Sequence, residues 1–576
     1  MKFLPAQLLY FFQNRKTQKN VAALVRFLLF VLLIILFYSM LFHYIMVLEG
    51  RNFSWVTGLY WTLTVMSTLG FGDITFFSDT GHIFTIVVLL SGIVLLLVIL
   101  PFTFIQFFYA PWLEAQERSR VSRELPKETR DHVLLTEFGP ITERLIDNLN
   151  HRHVKYAILE RDWQRAAELN DLGYQVVLGE LDDPETWNRL QVQQAALVVA
   201  TGDDLTNTSA AFTVREVTQD VPMVLSATEE NSLDILNFPV KVHVFLFHQI
   251  LGRRLAERTV GLGRPINIVS QIDELVLGEI SASQTTLAGR SLGVILDEER
   301  RVHRPEERVQ VIGLWERGKF LAPQMDVVVS KRSILLLAGS LTQMDAFEAQ
   351  HVSPSAGELN NAPVLILGGG RVGRAVAETL HQHSLRFSIV EKDPDTRELE
   401  KIVSDHVVSG DAADIEVLEK AGIMEARTVI VTTRDDAMNM YLCFYCRQLR
   451  ADVQIISRTT LQRSVSKLHT AGADLVLSYA SMGANSIMNI LSTDEISMFT
   501  EGLNIFTLPV PRRLLGQTLA EGRIREVTGC SVIALQTGKG LVAGLGAETR
   551  LEGGESLVMI GSSEAEERFS DFFPQN

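Results

Sequence analysis

Ser67-Thr68-Leu69-Gly70-Phe71-Gly72-Asp73 lies between two long apolar runs, Val21 to Leu48 and Ile83 to Tyr109. At about 1.5 Å per residue, each run wound as a helix exceeds the roughly 30 Å hydrocarbon core of a bilayer. Only Arg26 and His43 interrupt the first run, and no charge interrupts the second. Gly70 and Gly72 stand at alternate positions, and glycine takes positive φ without steric penalty. An extended strand with such residues at every second place turns successive carbonyls to one side. The row of oxygens that results, with the Thr68 hydroxyl at its inner end and Asp73 at its mouth, can replace the water shell of a cation.

The flanks support a membrane reading. Ser54 can cap a short helix through Trp55, Leu59, Tyr60, Leu63 and Val65, whose negative end would face the membrane centre. Lys2, Arg15, Lys16 and Lys19 precede the first run; Arg118, Arg120, Arg123, Lys127 and Arg130 follow the second; Arg51 alone lies between. This bias predicts cytoplasmic termini and an outer connecting segment. The basic start precedes a run too long for a signal peptide, so no cleavage is expected. An uncharged second span cannot enclose an ion path by itself, so the path must be shared among subunits. Within that span Gly92 is either a hinge or a close-packing position. Below it, Leu95, Leu96 and Leu97 are candidates for a gate that closes by excluding water.

The quoted stretch resembles the potassium-channel selectivity filter, usually Thr-Val-Gly-Tyr-Gly-Asp. Leu69 replaces the valine and Phe71 the tyrosine, so the bracing phenolic hydroxyl is absent at that position; filter rigidity and selectivity are the properties these changes touch. The resemblance implies a four-fold symmetric homotetramer in the bilayer, with potassium held by the carbonyls of Thr68, Leu69, Gly70 and Phe71.

The chain has 576 residues, too many for one domain. Its 47% hydrophobic content is concentrated at the start, which separates a membrane part from a soluble part. A net charge of −15 argues against nucleic-acid binding. Three cysteines, all in the soluble part, imply no disulfide framework. Cys443 and Cys446 lie in an apolar helical pattern and read as buried helix-face residues rather than as a metal or redox pair.

The soluble part is one unit written twice. In the second copy Pro363-Val364-Leu365-Ile366-Leu367 is a buried strand, followed by Gly368-Gly369-Gly370-Arg371-Val372-Gly373 and a helix; a second strand, Phe387 to Val390, ends in Glu391. This is the dinucleotide fingerprint, with glycines for the turn and phosphate approach and a carboxylate for ribose hydroxyls. The first copy repeats the frame with Val133 to Thr136, the loop Glu137-Phe138-Gly139-Pro140-Ile141-Thr142 and a strand ending in Glu160. Gly139 to Glu160 and Gly370 to Glu391 are each 21 positions, and Glu180 and Asp411 keep the register beyond. Glu137 and Thr142 stand where glycines would be, so Gly139, Pro140, Ile141, Glu160, Arg161 and Glu180 form a weaker or differently selective site. After each copy come an apolar helical pair, near Val242 to Glu257 and Leu475 to Leu491, and a smaller β-rich lobe.

This half resembles RCK domains, the regulators of potassium conductance. The expected fold is therefore an α-helical membrane pore of two transmembrane helices and a pore helix, then two α/β Rossmann-like RCK domains, each with a smaller α+β lobe. The expected boundaries are a pore domain over 1–112 (helices about 21–48 and 80–109, pore helix 54–66, filter 67–73), a linker over 113–130 with a helix from Glu114 to Asp131, and a first RCK domain over 131–345 (lobe 131–241, crossover helices 242–263, C-terminal lobe 264–345). A linker over 346–362 and a second RCK domain over 363–576 follow (lobe 363–474, crossover helices 475–498, C-terminal lobe 501–565).

The resemblance implies a ligand-gated potassium channel of the inner (plasma) membrane, not an enzyme, with a cytoplasmic gating ring. The regulatory ligand is expected to be NAD or ADP at Gly368, Gly370, Arg371, Val372, Gly373, Glu391, Lys392, Asp411, Thr432, Thr433 and Arg434. Glu391 would repel the extra phosphate of NADP, a discrimination that Lys392 weakens. Calcium is a further family ligand. One family calcium site uses an aspartate matched by Asp204, but Ser226 and Thr228 stand where its other carboxylates belong, so no divalent site is assigned. Two other readings stay open: a subunit of a nucleotide-regulated potassium uptake system, and a membrane-anchored NAD-dependent oxidoreductase.

Overall fold

The computed structural model describes residues 15–106, 121–259, 265–353 and 362–574, apart from 273, 303, 305–307, 317–318, 322, 394–406, 492–496, 501–502, 539, 544 and 562. They divide into two compact units, residues 1–122 with 162–173, and 123–161 with 174–576.

In the first unit a helix is described over Arg15–Leu48, and within its stretch Leu24–Leu48 the mean hydropathy over 18 residues reaches 2.6. A short helix, Trp55–Met66, starts at Ser54, whose hydroxyl accepts the Thr57 N–H. A third begins at Asp79 and runs as α-helix to Gly92, as π-helix over Ile93–Ile99 and as α-helix over Leu100–Phe104; its stretch Asp79–Thr103 reaches a mean hydropathy of 3.2. Both long helices are apolar enough to cross a bilayer. Aromatic rings hold the three together: Phe42 stacks on Trp61 at 4.9 Å, Phe84 of the third helix stacks on Trp61 at 5.6 Å, and Phe76 meets all of them edge-on. The Glu49 carboxylate, just past the first span, accepts the N–H of Ser78 at 2.9 Å and its hydroxyl at 2.6 Å, anchoring the residue that caps the third helix.

The second unit contains the duplication. The first half has six strands, Val133–Leu135, Tyr156–Glu160, Val176–Leu178, Leu197–Ala200, Met223–Ser226 and Val242–Phe245. The second has Val364–Leu367, Phe387–Glu391, Val407–Ser409, Thr428–Val431, Gln454–Thr459 and Leu475–Ser478. Counted along the chain within each half, both sheets have the order 3-2-1-4-5-6, with every pairing parallel. The central strands are apolar runs without alternation because sheets of this kind are covered on both faces.

Two expectations need correction. Val242–Phe245 and Leu475–Ser478 are the sixth strands, not the first members of helical pairs, and among the described residues one helix follows each before the next strand, Phe247–Glu257 and Tyr479–Leu491. Four residues are too few for their period to distinguish strand from helix, and here the free edge of the fifth strand decides. The linker helix expected over Glu114 to Asp131 falls partly outside the described residues; from Val121 to Asp131 the backbone makes bends and turns. Pro126 has no N–H to give a helix, and Leu125 is buried in the first half's core.

Each crossover helix packs on the opposite half. Phe247–Glu257 lies on Arg371–Gln382, the helix of the second glycine loop, and Tyr479–Leu491 lies on Pro140–His151, its counterpart in the first. Glycines permit both approaches. A Cβ on Gly252 would come within 2.4 Å of the Ala375 Cβ, and one on Gly483 within 2.7 Å of the Ile141 Cδ1.

Each half closes with a five-stranded antiparallel lobe of the same strand order. In the first lobe a capping box at Ser340 starts a helix that continues to His351, across the boundary drawn at 345.

Candidate functional site

The stretch from Thr68 to Gly72 carries positive φ at alternate residues: 64° at Thr68, 41° at Gly70 and 74° at Gly72. The two glycines were expected to do this; Thr68 was not, since a branched side chain disfavours that region. The N–H groups entering the stretch are taken by the last turn of the short helix. Thr68 donates to the Val65 carbonyl at 3.0 Å, and Leu69 and Gly70 both donate to that of Thr64, at 2.9 and 3.1 Å. The hydroxyl missing at Phe71 is supplied from the same helix, where the Tyr60 phenol donates to the Asp73 carboxylate at 3.1 Å. Trp61 Nε1 donates to the Ile74 carbonyl at 3.2 Å, a second brace. Both were missed in the sequence because partners 13 positions apart leave no local pattern.

Gly92 is helical, and a Cβ there would fall 2.4 Å from the Met66 Cα. The residue is a close-packing position against the short helix. The three candidate gate leucines lie in the π-helical segment that starts immediately after it. Leu95 and Leu96 pack on the unit's core, whereas Leu97 is 53% exposed.

In the second glycine loop the residues have distinct tasks. Gly368 has a φ of 108°, and the buried Thr432 hydroxyl donates to its carbonyl at 2.7 Å, tying the loop to the fourth strand. A Cβ on Gly373 would lie 1.9 Å from the Gly368 oxygen, so helix and turn can meet only at glycine. Around Gly370 nothing lies within 4 Å of a Cβ position, which leaves room for a phosphate at the helix N-terminus. Arg371 is the first helical residue, and the Val372 side chain is buried, so only its amide faces the loop. The Glu391 carboxylate accepts the Gly369 N–H and, at 2.9 Å, that of Asp393.

Lys392 and Asp411 form an ion pair at 2.8 Å, and Asp411 also accepts the Ala413 N–H at 3.0 Å. This bond holds the Asp411 carboxyl below its usual range and the Lys392 amine above its own. Thr433 donates to Asn439 at 2.6 Å, and Arg434 is exposed at the rim. The residues present fit an adenine nucleotide: the cradle is open where a pyrophosphate would lie, and an acceptor stands at the end of the second strand.

The first loop is built otherwise. The Thr142 hydroxyl, at the third-glycine position, accepts the Gly139 N–H at 2.7 Å and donates to its carbonyl at 3.0 Å, so that amide is occupied. Pro140 offers no N–H, and Ile141 is buried in the contact with Gly483. Desolvation of the Glu137 carboxyl, followed by the charges of Asp203 and Glu160, pushes it up from the ordinary 4.5. Glu160 ends its strand and its carbonyl accepts the Gly179 N–H at 3.0 Å, as that of Glu391 accepts from Gly410 at 2.9 Å. Arg161 and Glu180 are exposed. This set is acidic and short of free amides, a poor match to a pyrophosphate.

The carboxylate of Asp204 accepts the N–H groups of Thr228 at 2.7 Å and Glu229 at 3.2 Å. It is engaged in fixing a turn. Among the described residues no group of three or more His, Cys, Asp or Glu is arranged to hold a metal ion. Cys443 and Cys446 are fully buried, and burial pushes both thiols up to about 12.

Comparison with known proteins agrees with this geometry. Residues 29–109 match an ion channel domain, residues 133–244 and 364–479 each match a TrkA-N domain, and residues 503–573 match a TrkA-C domain. A solved structure, the GsuK channel bound to NAD, is 34% identical, with a TM-score of 0.55 over 97% of this chain and 100% of that one. The chain belongs to the two-transmembrane potassium channels with RCK domains. It is a potassium channel with an RCK gating ring, and hence a membrane protein.

Potassium channel protein 1 of Methanocaldococcus jannaschii is 26% identical over 37% of this channel and 67% of its own length. The Trk system potassium uptake protein TrkA of Mycobacterium tuberculosis is 24% identical over 36% of this channel and 96% of its own length. The matched channel domain separates this chain from the uptake-subunit reading and favours a channel over an oxidoreductase.

Proposed function

We propose that this channel is a homotetramer of the plasma membrane, with cytoplasmic termini, gated by an adenine nucleotide, NAD or ADP, in the second RCK half. The observation that carries the reading is the asymmetry of the two loops. Neither Gly370 nor Gly139 has an atom within 4 Å of a Cβ position, but the second loop has Glu391 beside its helix N-terminus, while in the first the Gly139 N–H is taken by Thr142 and Glu137 adds an acid. GsuK, which is similar over nearly the whole chain, has been solved bound to NAD.

The amides of Gly370, Arg371 and Val372 would meet the pyrophosphate, and Glu391 would turn from Gly369 to the ribose hydroxyls. Lys392 is paired with Asp411 rather than held ready for a 2′-phosphate, which disfavours NADP. Potassium would pass along the carbonyls of Thr68, Leu69, Gly70 and Phe71, and Leu97 is the gate residue of its triplet, since Leu95 and Leu96 are committed to packing. Nucleotide can shift the closed–open equilibrium only by its difference in affinity for the two states. Calorimetric titration of the full-length channel with ADP and NAD tests the site. Saturable binding that Gly370→Val abolishes is expected; equal binding by that variant would remove the loop from consideration.

A further inference from the structure

The duplicated frame carries one device in a charged form on one side only. In the first half the Asp204 carboxylate fixes the Thr228–Glu229 turn through two N–H groups. In the second, Asp436 holds Thr460 and Leu461 in the same way, at 2.8 and 3.1 Å, which makes Leu461 the counterpart of Glu229. From its turn Glu229 reaches out of its own half: Oε1 lies 3.3 Å from a terminal guanidinium nitrogen of Arg371, the first residue of the second glycine-loop helix. The counterpart of Arg371, directly after the matching glycine, is Pro140. A cross-half ion pair therefore stands at the second glycine loop, while the first has proline and leucine at the matching positions.

The pair borders a cleft of about 350 Å³ between the halves, lined also by Glu230, His248, Arg374 and Glu378. Burial, and next the charge of Arg371, pushes the His248 imidazole down, so the two arginines supply the positive charge here at neutral pH.

We infer that Glu229 is an internal competitor for the second-half nucleotide site, holding the Arg371 guanidinium that a pyrophosphate would otherwise engage. The inference rests on the nucleotide reading above and adds a route by which the first half senses the ligand. A guanidinium fork matches phosphate as well as carboxylate, and a carboxylate left beside a bound pyrophosphate is repelled. By linkage, whatever holds Glu229 on Arg371 weakens nucleotide binding, and bound nucleotide loosens this contact between the halves by the same factor.

Both side chains are partly exposed, 37% for Arg371 and 62% for Glu229, so the effect is modest and salt-dependent. ADP is titrated calorimetrically into the full-length parent, Glu229→Gln, Arg371→Gln and the double variant at low ionic strength. Glu229→Gln is expected to bind about two- to fivefold tighter, a gain that fades at high salt and largely disappears in the Arg371→Gln background. Unchanged or weaker binding by Glu229→Gln, or the same gain without Arg371, overturns the inference and leaves the nucleotide site standing. A parent that binds neither ADP nor NAD overturns both.

Discussion

The Tyr60 phenol donates a hydrogen bond of 3.1 Å to the Asp73 carboxylate, joining the middle of the pore helix to the outer end of the filter. In this channel the ring at position 71 has no hydroxyl, and the brace comes from the helix behind it. Tyr60→Phe should loosen the filter and lower the potassium-to-sodium permeability ratio, measured by bi-ionic reversal potentials. An unchanged ratio would mean that the Trp61–Ile74 bond suffices.

Gly92→Val places side-chain atoms against the Met66 backbone, where even a Cβ would sit at 2.4 Å. The expected loss is about 1–3 kcal/mol, read as reduced thermal stability of the assembled channel. A variant with parental stability and altered gating would support a hinge instead.

The three leucines after Gly92 should respond differently. Leu97→Asp should hydrate the constriction and raise open probability without ligand, whereas Leu95→Asp and Leu96→Asp, packed on the core of their unit, should impair assembly. Parental gating in Leu97→Asp would place the gate elsewhere.

Much of this was legible beforehand, for reasons that differ by residue. The fingerprint from Gly368 to Glu391 shows in the sequence because strand, turn and helix impose their residue types locally, and the register to Glu160 and Asp411 survives because both copies build one sheet. What was hidden depends on partners far along the chain. Tyr60 meets Asp73 and Glu229 meets Arg371 only after folding, and Val242–Phe245 becomes a strand because a sheet edge awaits it. The π-helical turn over Ile93–Ile99 has no signature among uniformly apolar residues.

Glu137 gives the first half a pH dependence of definite sign. Its folded-state pKa is raised, so between the ordinary 4.5 and that raised value the folded state binds more protons than the unfolded. Stability therefore falls as pH rises through that window, and the charged carboxylate is unfavourable at neutral pH. Glu137→Gln should melt higher than the parent at pH 7, with the difference closing as pH falls below 4.5. A difference independent of pH would assign the effect to packing.

Single-channel recording in bilayers, with NAD and then ADP added to the cytoplasmic face of the parent and of Glu391→Ala, tests most directly the claim that a nucleotide in the second RCK half gates the pore. The parent should show potassium-selective openings whose probability changes with nucleotide. Glu391→Ala should keep the conductance and require about 5- to 150-fold more nucleotide for half-maximal effect, the equivalent of about 1–3 kcal/mol of lost hydrogen bonding. Identical dose–response curves for the two proteins, or a parent indifferent to both nucleotides, would contradict the account.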